Sequence, residues 1–254
     1  VRRLAEKPGV STAKLYGYGS EVYVLADDAL EVTVDPRRGG RILEIYDRRT
    51  GCNQITVPYD RLGGLHNIAF AYCIWDEVKA PHGFGIGRNA PYQVKVLPDG
   101  LTLSAGAPGK HAVTKTLTLG GGGVLNLNVK LDNRSDRELA CSWYMHPEYT
   151  VGGEAVSHSD LLTLPIGGKN LDIPYWTGLG DRSTPEFSDG FWMLTSPSKQ
   201  YRIRQDFPPE KFRKPRLWFG IGCCNLEMES SRGLKLRPGE SWTGDLKWTF
   251  SQIR

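Results

Sequence analysis

One histidine, His146, and two glutamates, Glu227 and Glu229, are the residues of this 254-residue chain best placed to move protons. His146 ends a strand-like run, Glu138-Leu-Ala-Cys-Ser-Trp-Tyr-Met-His146. Pro147 follows it, and a proline cannot donate to a ladder, so the strand is expected to stop there with the imidazole at a sheet margin. Strand side chains alternate between faces. Ala140, Ser142, Tyr144 and His146 therefore share one face, while Leu139, Cys141, Trp143 and Met145 turn toward a core. In Asn225-Leu-Glu-Met-Glu229, the apolar Leu226 and Met228 likewise send Glu227 and Glu229 to the opposite face. A histidine and a glutamate on one cleft make an acid and a base whose pKa values burial and neighbours can place on either side of neutrality. A hydrogen-bonded histidine at a strand end and glutamates on a solvated sheet are the competing structural reading.

A second concentration of chemistry runs from Leu65 to Tyr92, where His66, Trp75, Asp76, His82 and Arg88 stand among glycines. Polar groups on long loops held by a rigid sheet are disproportionately functional. Gly83-Phe-Gly-Ile-Gly87 is no phosphate loop, since it neither follows a strand nor opens a helix with a Lys-Ser/Thr pair. Trp75, Trp176 and Tyr144 offer ring faces to a sugar; Trp143 is expected to point inward. His66, His82 and His146 with a glutamate would admit a metal, but their spacings match no standard zinc pattern. No cofactor is expected.

The elements that must hold these residues are strands. Leu30–Val34 alternates, Arg41–Tyr46 follows a Gly39-Gly40 turn, and Tyr92–Val96 leads through Pro98-Asp-Gly100 into Leu101–Ser104. The last pair is expected to be a hairpin whose Asp-Gly supplies positive φ angles. Val124–Asp132 is the clearest strand, with Leu125, Leu127, Val129 and Leu131 inward. Further strands are expected at Phe191–Thr195, Arg216–Ile221, Asn225–Glu229 and Ser241–Phe250. No segment longer than about ten residues has helical periodicity. Short strands punctuated by 30 Gly and 16 Pro predict an all-β fold of two large antiparallel sheets packed face to face, with barrel closure as the alternative. Residues 1–20 read as an N-terminal arm or linker and 21–254 as a single domain.

Composition narrows the function classes. The net charge of +4 comes from interspersed basic and acidic residues, which argues against nucleic acid or an anionic membrane as partner. Five cysteines at irregular spacings read as reduced and structural. No apolar run is long enough for a membrane span. The chain begins with valine and lacks a signal-peptide core, which fits either a removed leader or a segment of a longer protein, in the cytoplasm or exported. Exposed edge strands would allow a homodimer.

The order of motifs resembles the aldose 1-epimerase, or galactose mutarotase-like, superfamily. The motifs are His82-Gly-Phe, Arg88, Pro91-Tyr-Gln-Val, Lys115-Thr-Leu-Thr-Leu, Asp132-Asn-Arg-Ser-Asp, His146-Pro-Glu-Tyr, Glu227 and Leu236-Arg-Pro-Gly-Glu-Ser-Trp242, spanning about residues 25–250. The resemblance implies a β-supersandwich that holds a sugar in an open concave cleft. It also implies His146 as the acid toward the ring oxygen, Glu227 as the base toward the anomeric hydroxyl, and His82 with Arg88 as substrate clamps. His66, Trp75, Asp76, Glu148, Glu229 and Trp176 complete the expected sugar contacts. Where the family carries an aromatic after His-Pro, this chain has Glu148 and then Tyr149. The same fold also occurs in non-catalytic carbohydrate-binding or accessory domains and in glycoside lyases and hydrolases, so the small-molecule sugar or oligosaccharide partner is implied more firmly than the reaction.

Overall fold

The computed structural model describes residues 5–15, 21–56, 74–80, 89–106, 109–175, 180–183, 186–212, 216–219, 223–230 and 233–253. In chain order the strands are β1 (Gly9–Lys14), β2 (Glu21–Ala26), β3 (Leu30–Asp35), β4 (Arg41–Asp47), β5 (Cys52–Asn53), β6 (Ile74–Lys79) and β7 (Gln93–Leu97). Then come β8 (Gly100–Gly106), β9 (His111–Gly121), β10 (Val124–Asn133), β11 (Leu139–Pro147), β12 (Leu161–Ile166) and β13 (Lys169–Pro174). The last are β14 (Gly180–Ser183), β15 (Phe191–Ser196), β16 (Tyr201–Asp206), β17 (Arg216–Phe219), β18 (Cys224–Glu229), β19 (Leu234–Leu236) and β20 (Ser241–Gln252). No helix occurs among the described residues, and thus none long and apolar enough to cross a membrane.

Two antiparallel sheets divide these strands. The first has eleven, in the order β1-β2-β3-β4-β6-β11-β18-β17-β14, with β5 beside β4 and β19 beside β11. The second has nine, ordered β13-β12-β15-β16-β20-β10-β9-β8-β7. The alternation that defines β10 explains the packing: Leu125, Leu127, Val129 and Leu131 are buried, while Asn126 and Asn128 are half-buried and Lys130 is exposed. One continuous apolar core fills the space between the sheets, with Trp143, Trp192 and Trp248 fully buried in it.

Buried polar groups tie the sheets together through this core. Lys115 of β9 forms an ion pair with Asp76 of β6, and its Nζ also donates to the Gly39 carbonyl at 2.6 Å. The other Asp76 oxygen accepts from Trp143 Nε1 at 2.7 Å. Gly39 and Gly40 both adopt left-handed φ, 78° and 64°, so the β3–β4 turn exposes that carbonyl at a backbone geometry other residues resist. Burial pushes the Lys115 ammonium down, but the Asp76 charge, aided by Tyr92, outweighs it and holds the value above the ordinary lysine range. Trp248 Nε1 of β20 donates to the Tyr149 hydroxyl at 2.7 Å, and the Tyr201 hydroxyl of β16 donates to Asp47 of β4.

Three local expectations change. The N-terminal segment, read as an arm, contributes β1 to the first sheet, and its Ala5 N–H donates to Glu31 at 3.2 Å. Ala5 and Leu15 pack on Val22, Val24, Ala26 and Leu43, which is why Glu31 and Thr33 of the alternating β3 are buried rather than solvated. The β7–β8 hairpin forms with Leu97 opposite Gly100, but neither Asp99 nor Gly100 takes a positive φ. Gly100 is needed for another reason: a Cβ there would lie 1.9 Å from the Leu117 carbonyl oxygen on β9.

Asp76→Ala is expected to cost about 3–5 kcal/mol in denaturant unfolding, because it leaves Lys115 buried without its counter-ion. Replacing Asp76 and Lys115 together with apolar residues should cost much less than that single change.

Candidate active site

His146 and Glu227 reach each other because β11 and β18 are neighbours in the first sheet. Their antiparallel register pairs Tyr144 with Glu229 and Met145 with Met228. Counting on at the same register sets His146 across from Glu227 and Glu148 across from Asn225. Parity then does what the sequence demanded of it: Trp143, Met145, Leu226 and Met228 are fully buried, while His146, Glu227 and Glu229 are only half-buried on the other face.

Pro147 modifies this frame without ending it. Its lack of an N–H deprives the ladder of one donor. Pairing with β18 stops at Met145↔Met228 and resumes at Tyr149↔Cys224, whose backbones exchange two hydrogen bonds of 2.8 Å. On the other side β6 pairs without interruption, Trp75 opposite His146 and Ile74 opposite Pro147. The expected strand end is thus a local gap in one ladder, and it spans His146 to Glu148.

His146 Nδ1–H donates to Glu227 Oε1 at 2.7 Å, the length of a charge-assisted bond. Glu148 stands at the opposite edge of the ring, with Oε1 3.5 Å from Nε2. The Asn225 amide lies 2.8 Å from Nε2 and 3.2 Å from Nδ1, and its Oδ1 is buried without a partner among the described residues. Burial alone would push the imidazole down, but hydrogen bonds to Glu148 and Glu227 and their charges raise its pKa above the usual 6.5. The arrangement is an acid that holds its proton beside a carboxylate that can take one. Since the two glutamates approach opposite ring edges, they do not share a point at which a metal would sit. Among the described residues no group of three or more His, Cys, Asp or Glu side chains is disposed to hold one.

The other expected contacts are dispersed. Glu229 is two residues along β18 from Glu227, opposite Tyr144. Trp75 lies opposite His146 in the backbone register. Asp76 takes the core parity of β6 and is engaged by Lys115 and Trp143. His66, His82, Arg88 and Trp176 lie outside the described residues. Two residues join the face that sequence reasoning did not select. Asn225 shares the parity of Glu227, a signal that was available; Arg216 is opposite Glu227 on β17, which only the sheet order reveals. A groove of about 500 Å³ opens elsewhere, on the outer face of the second sheet, lined by Thr116, Asn128 and Asp245 among others, and holds no histidine.

NMR titration of the His146 imidazole should give a pKa above 6.5 that falls when Glu227 is changed to Gln. Because the folded value is raised, the pair stabilises the protein fully below pH 6.5, and the contribution is lost as pH rises through the folded value.

No family model matches the chain, and no curated protein matches it in sequence. Solved structures do match it in shape. A galactose mutarotase-like protein from Clostridium acetobutylicum superposes with a TM-score of 0.74 at 14% identity, covering 98% of this chain and 100% of that one. A candidate aldose 1-epimerase from Escherichia coli K12 gives 0.67 at 13% identity, with 96% and 100% covered. The 4-alpha-glucanotransferase of Thermococcus litoralis gives 0.60 at 13% identity, with 96% of this chain matching 39% of that one. The chain therefore has the galactose mutarotase-like fold, an all-β supersandwich of two large antiparallel sheets.

Proposed function

We propose that this protein is an aldose 1-epimerase-like isomerase in which His146 is the acid and Glu227 the base. The observation that carries the reading is the 2.7 Å bond between them, on the face opposite the core. Similarity to mutarotase-like structures supports a sugar as the ligand class.

Anomer exchange needs two proton movements at adjacent oxygens of one pyranose, and this pair supplies both. Glu227 accepts the anomeric hydroxyl proton while His146 Nε2–H, beside the Asn225 amide, protonates the ring oxygen. The C1–O5 bond breaks, C1 and its oxygen become an aldehyde, and O5 becomes a hydroxyl. Rotation about C1–C2 presents the other aldehyde face to O5. Reclosure returns one proton to His146 and takes one from Glu227, so the protein ends as it began. Against the downward push of burial, Glu148 and Glu227 raise the imidazole pKa above 6.5, which favours the protonated form that the acid role needs. No cofactor enters the cycle.

A second reading, a carbohydrate-binding accessory domain, draws support from the glucanotransferase match, where the fold forms only part of the chain. Polarimetry on freshly dissolved glucose and galactose separates the two. The wild type should accelerate mutarotation, and His146→Ala and Glu227→Gln should each lower kcat about a hundredfold or more. Sugar binding without acceleration would leave the accessory reading in its place.

A further inference from the structure

We propose that the groove on the outer face of the second sheet is a second saccharide-binding site, one that holds a segment of a neutral oligosaccharide. It lies across the sandwich from His146 and Glu227 and does not depend on the roles given to them.

Strand register builds its floor. β9, β10 and β20 are consecutive in the sheet, and their outward residues fall into two rows. Thr116, Asn128 and Asp245 are opposite one another in the first, Thr118, Asn126 and Lys247 in the second. Asp206, the last residue of β16, continues the second row beside Lys247. There β16 ends, and Phe207 and Pro208 line the side of the groove. That side is fixed. The Phe207 N–H donates to the Gly190 carbonyl at 2.8 Å, and its ring packs against Phe187 and Phe212 with centroids 6.0 and 6.1 Å away. A Cβ on Gly190 would lie 2.1 Å from the Phe207 carbonyl oxygen, so only glycine lets the two segments come this close. The groove is therefore formed before any ligand arrives, and its volume of about 500 Å³ is that of a small-ligand site.

The chemistry of the floor selects the ligand class. Asn128 Nδ2 donates to Asp245 Oδ1 at 2.7 Å. The amide keeps a second N–H and its carbonyl, and the carboxylate its other oxygen, none with a further partner among the described residues. The pair thus presents a donor beside acceptors, a pattern that vicinal hydroxyls, each donor and acceptor at once, can satisfy. Asn126 and the two threonine hydroxyls extend it. Formal charges cancel: Asp206 and Asp245 stand against Lys247 and Arg204, the latter paired with Asp206 at 2.6 Å. A nucleic acid would need a surplus of basic side chains, which this floor lacks. A peptide strand finds no edge to join, since β9 and β10 are hydrogen-bonded on both sides. A neutral polyol needs neither charge nor edge, and Pro208 with the threonine methyls offers apolar contact to its C–H groups.

The full chain is titrated with maltotriose, cellotriose and, as the charged comparison, trigalacturonate. NMR follows the Asn126 and Asn128 side-chain amides, and calorimetry gives affinity. At least one neutral trisaccharide should shift both amides, and trigalacturonate should bind at least about tenfold more weakly, because it brings its carboxylates to Asp206 and Asp245. Asn128 is half-buried and Asp245 exposed, so Asn128→Ala and Asp245→Ala leave the core intact. Each should weaken binding about tenfold, the cost of a lost hydrogen bond or two. In His146→Ala and Glu227→Gln the amide shifts should persist, since those residues are on the other sheet. Amides that no neutral trisaccharide moves overturn the assignment, as does binding that survives Asn128→Ala and Asp245→Ala but is lost in His146→Ala. Equal affinity for trigalacturonate refutes the neutral class. Amide shifts in a wild type that does not accelerate mutarotation would support this site and remove the epimerase reading.

Discussion

The Asp76 carboxylate, shared between the Lys115 ammonium of one sheet and the Trp143 indole of the other, is the contact on which the rest of the structure depends. Charges removed from water are costly unless they are paired and every remaining lone pair is met. Here the ammonium has Asp76 and the Gly39 carbonyl, and the second carboxylate oxygen has Trp143. Such a set is satisfied at one sheet spacing and one register, whereas an apolar core alone tolerates several. Trp143 is on β11, three residues before His146, so the link that fixes the sheets also fixes the strand that carries His146. Phe212 and Trp242 pack around the same indole, their ring centroids 5.8 and 6.3 Å from it.

On the opposite face the governing interaction is electrostatic. A strand with its inward residues fixed presents its outward ones at known positions, and Pro147 removes one ladder donor where His146 and Glu148 emerge. Two carboxylates against one imidazole would repel each other in the absence of the proton. They therefore favour the imidazolium, and burial, which opposes it, is the weaker influence in sum.

Much of this was legible in the chain. The two-residue period of Leu139–Met145 and of Leu226–Met228 placed His146 and Glu227 on one face, and motif order pointed to the fold that the structure displays. Other parts depended on partners that no local pattern names. Asp76 sits among loop-like polar residues in sequence, yet its fate is decided by Lys115, 39 residues away on the other sheet. Glu31 and Thr33 alternate as if solvated, and only the docking of Ala5 and Leu15 explains their burial. Gly100 suggested a turn conformation, while its real constraint is the approach of Leu117 across a strand pair. Asn225 shares the parity of Glu227, but an uncharged amide carries nothing in the sequence that marks it as a site residue.

The most direct measurement is a crystal structure of the chain soaked with D-galactose. The acid and base roles predict the ring oxygen at hydrogen-bond distance, about 3 Å, from His146 Nε2, and the anomeric hydroxyl at a similar distance from a Glu227 carboxylate oxygen. A sugar seated instead in the outer groove beside Asn128 and Asp245, with the His146–Glu227 bond unaltered and no sugar beside it, would contradict them.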